Sequence, residues 1–192
     1  MEQMETMLSI IELKITEQLE EKSSLVIAID GRCCAGKTTL ARQLEKEIPC
    51  NVFHMDDFFL RPGQRTKERL AKTGETIDHE RFEQDILRPL GKKESFSYRP
   101  YSCRQQRLLD EIKVSPSKIS LIEGSYSCHP SLRNYYDMAI FLDVETDEQM
   151  RRIQARNGAY NAILFERKWI PLEEAYFQKY KVKEHCDLVF RT

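Results

Sequence analysis

The chain has 192 residues, 41% hydrophobic and 32% charged, with 30 basic and 31 acidic side chains and a formal net charge of −1. That length suits one domain able to bury a core without covalent staples. The near-neutral balance excludes a global field for nucleic acid or anionic membrane, and any such role would have to be local.

Residues 1–22 carry Met4, Met7, Leu8, Ile11, Ile15 and Leu19 at three- and four-residue steps, with Glu, Gln and Lys between them. This pattern predicts an amphipathic helix. It is expected to pack on a single domain over 23–192, its acidic residues arguing against a targeting peptide. Leu25-Val26-Ile27-Ala28-Ile29 is a short unbroken apolar run, the pattern of a strand buried on both faces. Gly31-Arg32-Cys33-Cys34-Ala35-Gly36-Lys37-Thr38 follows it, a complete G-x-x-x-x-G-K-[ST] sequence, and Thr39-Leu40-Ala41-Arg42-Gln43-Leu44 then begins a helical period. Strand, glycine loop and helix N-terminus together predict a phosphate cradle. Loop N–H groups would face the β-phosphate, Lys37 would reach the β- and γ-phosphates, and Thr38 would help hold Mg²⁺.

Asn51-Val52-Phe53-His54 reads as a second strand running into Met55-Asp56-Asp57-Phe58-Phe59. A charged, glycine-containing stretch from Arg61 to Thr76 is expected to be a mobile loop, its basic residues either solvated or facing an acceptor phosphate. A helical pattern starts at Asp78, carries Phe82, Ile86 and Leu87 on one face, and stops near Pro89-Leu90-Gly91. Residues 95–101 look extended and aromatic, like one arm of a hairpin. Ile119–Ile122, Met138–Leu142 and Leu188–Phe190 predict three more buried strands. An arginine-rich helix is expected from about Thr146 to Arg156, broken by Asn157-Gly158, with Pro171 opening a further helix in its first turn. Buried strands alternating with helices make the fold class α/β with a parallel sheet.

In open parallel sheets, ligands bind beyond the carboxyl ends of the strands. That rule gathers the phosphate loop, the Asp56-Asp57 pair and Glu123 into one crevice. Asp56 is placed to accept the proton of a substrate hydroxyl, and Glu123 to orient Mg²⁺ and its waters. Asp57 could instead cap a helix. Arg151, Arg152 and Arg156 could cover the transferring group as a lid closes. His79 and His129 lack a second ligand at metal spacing and are read as structural, whereas Asp78 is a candidate acceptor for substrate hydroxyls. The six cysteines, at 33, 34, 50, 103, 128 and 186, show neither C-x-x-C pairing nor Cys/His ligand spacing, so no zinc site or disulfide framework is indicated. A reduced cytoplasmic compartment is expected, with no signal-type segment and no apolar run of membrane length. Cys33 and Cys34 are read either as small loop residues or as thiols whose pKa is lowered by Lys37 and the helix N-terminus.

In order along the chain, GRCCAGKTTLA, HMDDFFLRP, IDHERF, YRPY, LIEGSYS and the arginine-rich helix resemble the uridine kinase group of P-loop kinases. That group also includes phosphoribulokinase, pantothenate kinase and nicotinamide riboside kinase. The resemblance covers most of residues 24–190. It implies the P-loop NTPase fold, with a five-stranded parallel sheet flanked by helices, a lid, and a small hairpin over the acceptor site. It implies an ATP- and Mg²⁺-dependent phosphotransferase, with Gly31 to Thr38 and Thr39 binding ATP. Its partner would be a small-molecule acceptor, most simply a nucleoside phosphorylated at its 5′-hydroxyl. No nucleic-acid or membrane partner is expected, and a homo-oligomer is left open. Asp56 matches the group's catalytic aspartate, Asp78 the aspartate that binds ribose hydroxyls, Tyr101 the tyrosine near the nucleobase, and Glu123 the metal-shell acid. Arg152 and Arg156 fall where lid arginines are expected. Acceptor selectivity is expected to depend on the pocket around Tyr98, Arg99 and Tyr101. The chain departs from uridine kinases after that tyrosine, where residues 102–106 (Ser-Cys-Arg-Gln-Gln) contain no histidine. Its Asp-Asp-Phe-Phe sequence and Trp169-Ile170-Pro171 look more like the nicotinamide riboside kinase branch. A nucleoside-monophosphate kinase and a nucleotide-dependent regulatory ATPase remain alternatives, although no Asn-Lys-x-Asp or Leu-Ser-Gly-Gly-Gln motif is present.

Overall fold

Short apolar runs that must be covered on both faces force helices onto both sides of a sheet, and the computed structural model, which describes residues 2–192, has that layout. In chain order the elements are α1 (Glu2–Glu21), β1 (Leu25–Gly31), α2 (Lys37–Glu47), β2 (Asn51–His54), a helix α3 over 79–92, and four short strands. These are β3 (Phe96–Tyr98), β4 (Tyr101–Ser102), β5 (Arg107–Leu108) and β6 (Ile112–Val114). β7 (Ile119–Glu123), β8 (Met138–Asp143), α4 (Thr146–Leu164), α5 (Ile170–Tyr180) and β9 (Leu188–Arg191) complete the chain. The main sheet runs β2-β7-β1-β8-β9, with every pair parallel. In register, Ile29 stands beside both Glu123 and Ile140, so β1 is central and its loop opens between the ends of its two neighbours.

Successive side chains along β1 part to opposite faces. Ile27 and Ile29 join Leu121, Ile140 and Leu142 under α1 and α2, where Met7, Ile11 and Ile15 bury the apolar stripe of α1. Ala28 lies in the other layer, with Phe53, Phe82, Phe141, Tyr176 and Phe177. The extended aromatic stretch becomes two small antiparallel ladders, β3 with β6 and β4 with β5.

Residues 61–76, expected as a mobile loop, hold a turn at Pro62–Gln64 and one helical turn at Lys67–Leu70, with Thr66 capping the N–H of Arg69. The helix α3 ends at Lys92, one residue past the expected stop near Pro89-Leu90-Gly91. Pro89 is carried within its last turn, and a wider π turn over Glu83–Leu87 before it gives room where a proline would otherwise strike the carbonyl four residues back. The expected break is present: Gly158 (φ 79°, ψ 160°) is non-helical and divides α4 into two helical segments, and a second π turn over Phe165–Trp169 leads into α5 with Pro171 in its first turn.

Candidate active site

The loop after β1 approaches β8 so closely that position 31 cannot carry a side chain. A Cβ on Gly31, whose φ is 131°, would lie 2.1 Å from the carbonyl oxygen of Leu142. Gly36 caps α2 in the left-handed region at φ 94°, which aims the first turn of that helix at the loop's concave side. The Lys37 ammonium donates to the carbonyls of Gly31 and Arg32, at 2.5 and 2.9 Å. Ala35 is fully buried, and the Arg32 guanidinium turns outward to Glu174 and the Val144 carbonyl.

The crevice holds about 620 Å³, and its walls include Lys37, Thr38, Thr39, Asp56, Glu123 and Arg152. Asp56 stands in a single 3₁₀ turn, Met55–Phe58, directly after β2. Glu123 ends β7, and its carboxylate accepts the Thr38 hydroxyl at 3.1–3.2 Å while meeting His54 Nδ1 at 2.5 Å. Gly124 follows in an extended left-handed conformation (φ 134°), where a Cβ would come within 2.9 Å of Met55 Cβ. Burial pushes the Asp56 carboxyl above the ordinary aspartate range and Glu123 adds repulsion, opposed by Lys37, His54 and Arg156. Asp57 is raised chiefly by burial, and His54 chiefly by its hydrogen bond to Glu123. Thr38 and Glu123 present only oxygen atoms, the donor set of a hard divalent cation.

The proposed acceptor residues divide. Asp78 is buried and caps α3 through the Arg81 N–H, while Gln64 donates to it at 2.7 Å and Arg61 lies 3.6 Å away. Tyr98 is packed against Phe53 and Phe58, and burial pushes its phenol up to about 12. That ring belongs to the aromatic core more than to a pocket wall. Arg99 is exposed and donates to the Leu109 carbonyl, bracing the β4–β5 arm. Tyr101 differs: its ring is buried and its hydroxyl, also buried, has no hydrogen-bond partner; none of Asp78, Tyr98, Arg99 and Tyr101 is on the wall of the crevice itself. Among the lid arginines, Arg152 and Arg156 line the crevice, Arg152 also donating to the Cys34 carbonyl. Arg151 does not. It is paired with Glu148 on the outer face of α4. Arg65 and Arg69 of the loop reach the carbonyls of Leu60 and Ile77, with Arg69 also on Glu80.

Three residues that the sequence pattern did not single out hold the site together. Asp30 is fully buried and accepts from the N–H groups of Gly31 and Cys128 and from the Tyr176 hydroxyl. A charge at the end of an apolar strand was the available signal. Glu173 accepts the Cys33 N–H at 3.0 Å and the Ser125 hydroxyl. Nothing local on α5 marked it, because its partners lie 140 and 48 residues away. His54 was visible only as the last residue of a strand. The cysteine alternatives resolve against activation: burial and then Glu173 push Cys33 up to about 12, and burial also raises Cys34.

A profile of the phosphoribulokinase / uridine kinase family matches residues 26–160. A uridine kinase of Ureaplasma parvum is 25% identical, the match covering 76% of this chain and 77% of the relative. Uridine-cytidine kinase B of Dictyostelium discoideum is 24% identical over 88% of this chain and 74% of its own. Among solved structures, one from Bacillus stearothermophilus described as a possible uridine kinase superposes with a TM-score of 0.64 at 24% identity, covering 94% of this chain and 96% of that one.

Proposed function

The chain belongs to the phosphoribulokinase / uridine kinase family and is a phosphotransferase, and from that premise we propose that it moves the γ-phosphoryl group of ATP to the 5′-hydroxyl of a nucleoside of the uridine or cytidine kind. The observation that carries this reading is the meeting of Lys37, Thr38, Asp56 and Glu123 on the walls of one crevice. Phosphoryl transfer needs positioning and charge stabilisation more than covalent chemistry, and these four side chains supply both.

In this account the Gly31–Thr38 backbone and Thr39 hold the triphosphate, and Lys37 leaves its carbonyl partners to face the β- and γ-oxygens. Thr38 and Glu123 would hold Mg²⁺, which neutralises charge on the bridging phosphates when bound. Asp56 orients the acceptor hydroxyl and takes its proton. Its raised pKa brings the base nearer the operating pH, where proton transfer is more effective. Arg152 and Arg156 face the developing charge from the α4 side. Asp78 and the free Tyr101 hydroxyl would bind the acceptor's polar groups. Asp78 would exchange Gln64 for a sugar hydroxyl while keeping its cap on α3.

One observation favours a second acceptor, nicotinamide riboside, over the further alternative of pantothenate: Trp169, in the Trp-Ile-Pro sequence, lines the crevice. Among the described residues no helix is long and apolar enough to cross a membrane, and we assign the enzyme to the cytoplasm. An acceptor panel decides the substrate. Purified protein with Mg-ATP and, separately, uridine, cytidine, nicotinamide riboside, pantothenate and uridine monophosphate should release ADP fastest with uridine or cytidine. Faster release with another compound reassigns the acceptor, and hydrolysis indifferent to every acceptor overturns the nucleoside-kinase reading.

A further inference from the structure

Outside the crevice, the fold brings together two histidines and one acid that the sequence keeps apart. Glu75 closes the 61–76 segment, His79 opens α3, and His129 lies fifty residues later in the stretch that follows β7. The two imidazoles stack with ring centres 4.4 Å apart and planes inclined by 14°. One ring nitrogen of each and a Glu75 carboxylate oxygen all lie within 4.8 Å of one another. His79 Nε2 is 3.2 Å from Glu75 Oε1, and His129 Nε2 is 3.9 Å from the same oxygen.

The second observation is the state of His129. Its side chain is 6% exposed, and Nε2, aimed at that carboxylate, has no hydrogen-bond partner. An orphaned ring nitrogen in a buried position needs an explanation. The opposite edges of both rings are already tethered: Ser131 Oγ lies 2.7 Å from His129 Nδ1 and 3.2 Å from His79 Nδ1. The Ser131 N–H also donates to His129 Nδ1 at 3.3 Å, and His79 Nε2 donates to the Glu75 carboxylate; a bound zinc ion would displace the protons from both Nε2 atoms and turn each Nδ1–H toward the Ser131 hydroxyl. This is the outer-shell arrangement that orients metal-binding imidazoles. Arg69 holds Glu75 Oε2 at 3.3 Å, an oxygen that His79 Nε2 also meets at 3.1 Å, and Oε1 is the oxygen 3.9 Å from His129 Nε2. Tyr176 and Tyr180 flank the His129 ring.

We propose that Glu75, His79 and His129 form a zinc-binding site, separate from the catalytic crevice, that clips the acceptor-side segment to α3 and to the stretch after β7. Two imidazoles and one carboxylate suit Zn²⁺ and not the oxygen-seeking Mg²⁺ of the crevice. Tetrahedral ligands at zinc stand about 3.3 Å apart, from bond lengths near 2.0–2.1 Å. The His79–Glu75 spacing already meets that; His129 Nε2 must move roughly 0.6 Å toward Glu75 on the same geometry, and one ring must also turn, because the two stacked rings stand nearly parallel. A water supplies the fourth ligand from the Glu75 side, the most exposed of the three. Because His79 adjoins Asp78, the ion fixes the backbone that carries a proposed acceptor ligand.

Chelator-treated full-length protein titrated with zinc chloride by calorimetry should bind one equivalent with a Kd of about 1 µM or below, undiminished by excess Mg²⁺. Glu75→Gln, His79→Gln and His129→Asn should each weaken binding by about 100-fold, while Glu123→Gln retains it. Circular dichroism and Mg-ATP binding establish that each variant is folded. Independently of any variant, ¹⁵N-histidine spectra of the wild-type chain should have two of its four histidines, His79 and His129, shift at Nε2 on zinc addition. Absence of zinc binding, unaltered binding in all three variants, loss only in Glu123→Gln, or a shift confined to His54 would overturn the site.

Discussion

Asp30→Asn tests how the site is held. In the native chain one carboxylate oxygen accepts the Gly31 N–H at 2.7 Å, and the other accepts the Cys128 N–H at 2.9 Å and the Tyr176 hydroxyl at 2.8 Å. A carboxamide has one acceptor oxygen for these donors, and its NH₂ group would face the N–H of Cys128 or Gly31. The Tyr176 hydroxyl can rotate and accept, but a backbone N–H cannot. The variant therefore leaves one buried N–H without a partner, a loss of about 1–3 kcal/mol. Removing a buried carboxyl whose pKa burial has raised offsets part of this, so the lower half of that range is the expectation. For a chain of this size each kcal/mol lowers Tm by about 2–4 °C, which puts the expected drop at roughly 2–8 °C by the same scaling. Calorimetric unfolding with and without Mg-ATP measures it. Nucleotide affinity should fall as well, because Tyr176 shares α5 with Glu173, the acceptor of the Cys33 N–H. A Tm within about 1 °C of wild type with unchanged ATP binding would refute the reasoning.

Glu123→Gln removes the negative charge that, after burial, most raises Asp56. The carboxylate is the working form of Asp56, so wild-type kcat/KM should decline on the acid side at a higher pH than an ordinary aspartate would give. The variant's acid limb should move to lower pH even as its overall rate falls; an unmoved limb separates Asp56 from that titration. Arg152→Ala should lower kcat by about 10²-fold, the typical loss for one preorganised charge donor. Arg151→Ala, removing only an exposed pair with Glu148, should stay within about twofold of wild type; equal losses in the two would place the charge contribution elsewhere.

Much of the donor half was legible in the sequence because it is local. A strand, a loop with fixed glycines and a helix lie within about twenty residues, and backbone sterics at Gly31 and Gly36 leave little choice of conformation. The five strands were legible for a related reason, since apolar runs covered on both sides have few alternatives. The acceptor half was less so. Tyr98 and Tyr101 are three residues apart in one aromatic stretch, yet Tyr98 is stacked into the core while Tyr101 has a free hydroxyl. Nothing in the local pattern separates them, because the difference lies in where Phe53 and Phe58 stand. Adjacent arginines misled similarly: Arg151 and Arg152 share a helix, and a 100° step per residue sends one to solvent and the other to the crevice. Glu173 and the meeting of His79 with His129 depend on contacts across the whole chain, beyond the reach of any spacing rule.

The proposed reaction turns on Asp56 as the base, and Asp56→Asn tests it most directly. In steady-state turnover beside calorimetric Mg-ATP binding, ATP affinity should stay within a few-fold of wild type while kcat falls by roughly 10² or more, as for the loss of a positioned base. Near-normal turnover with intact ATP binding would contradict the account.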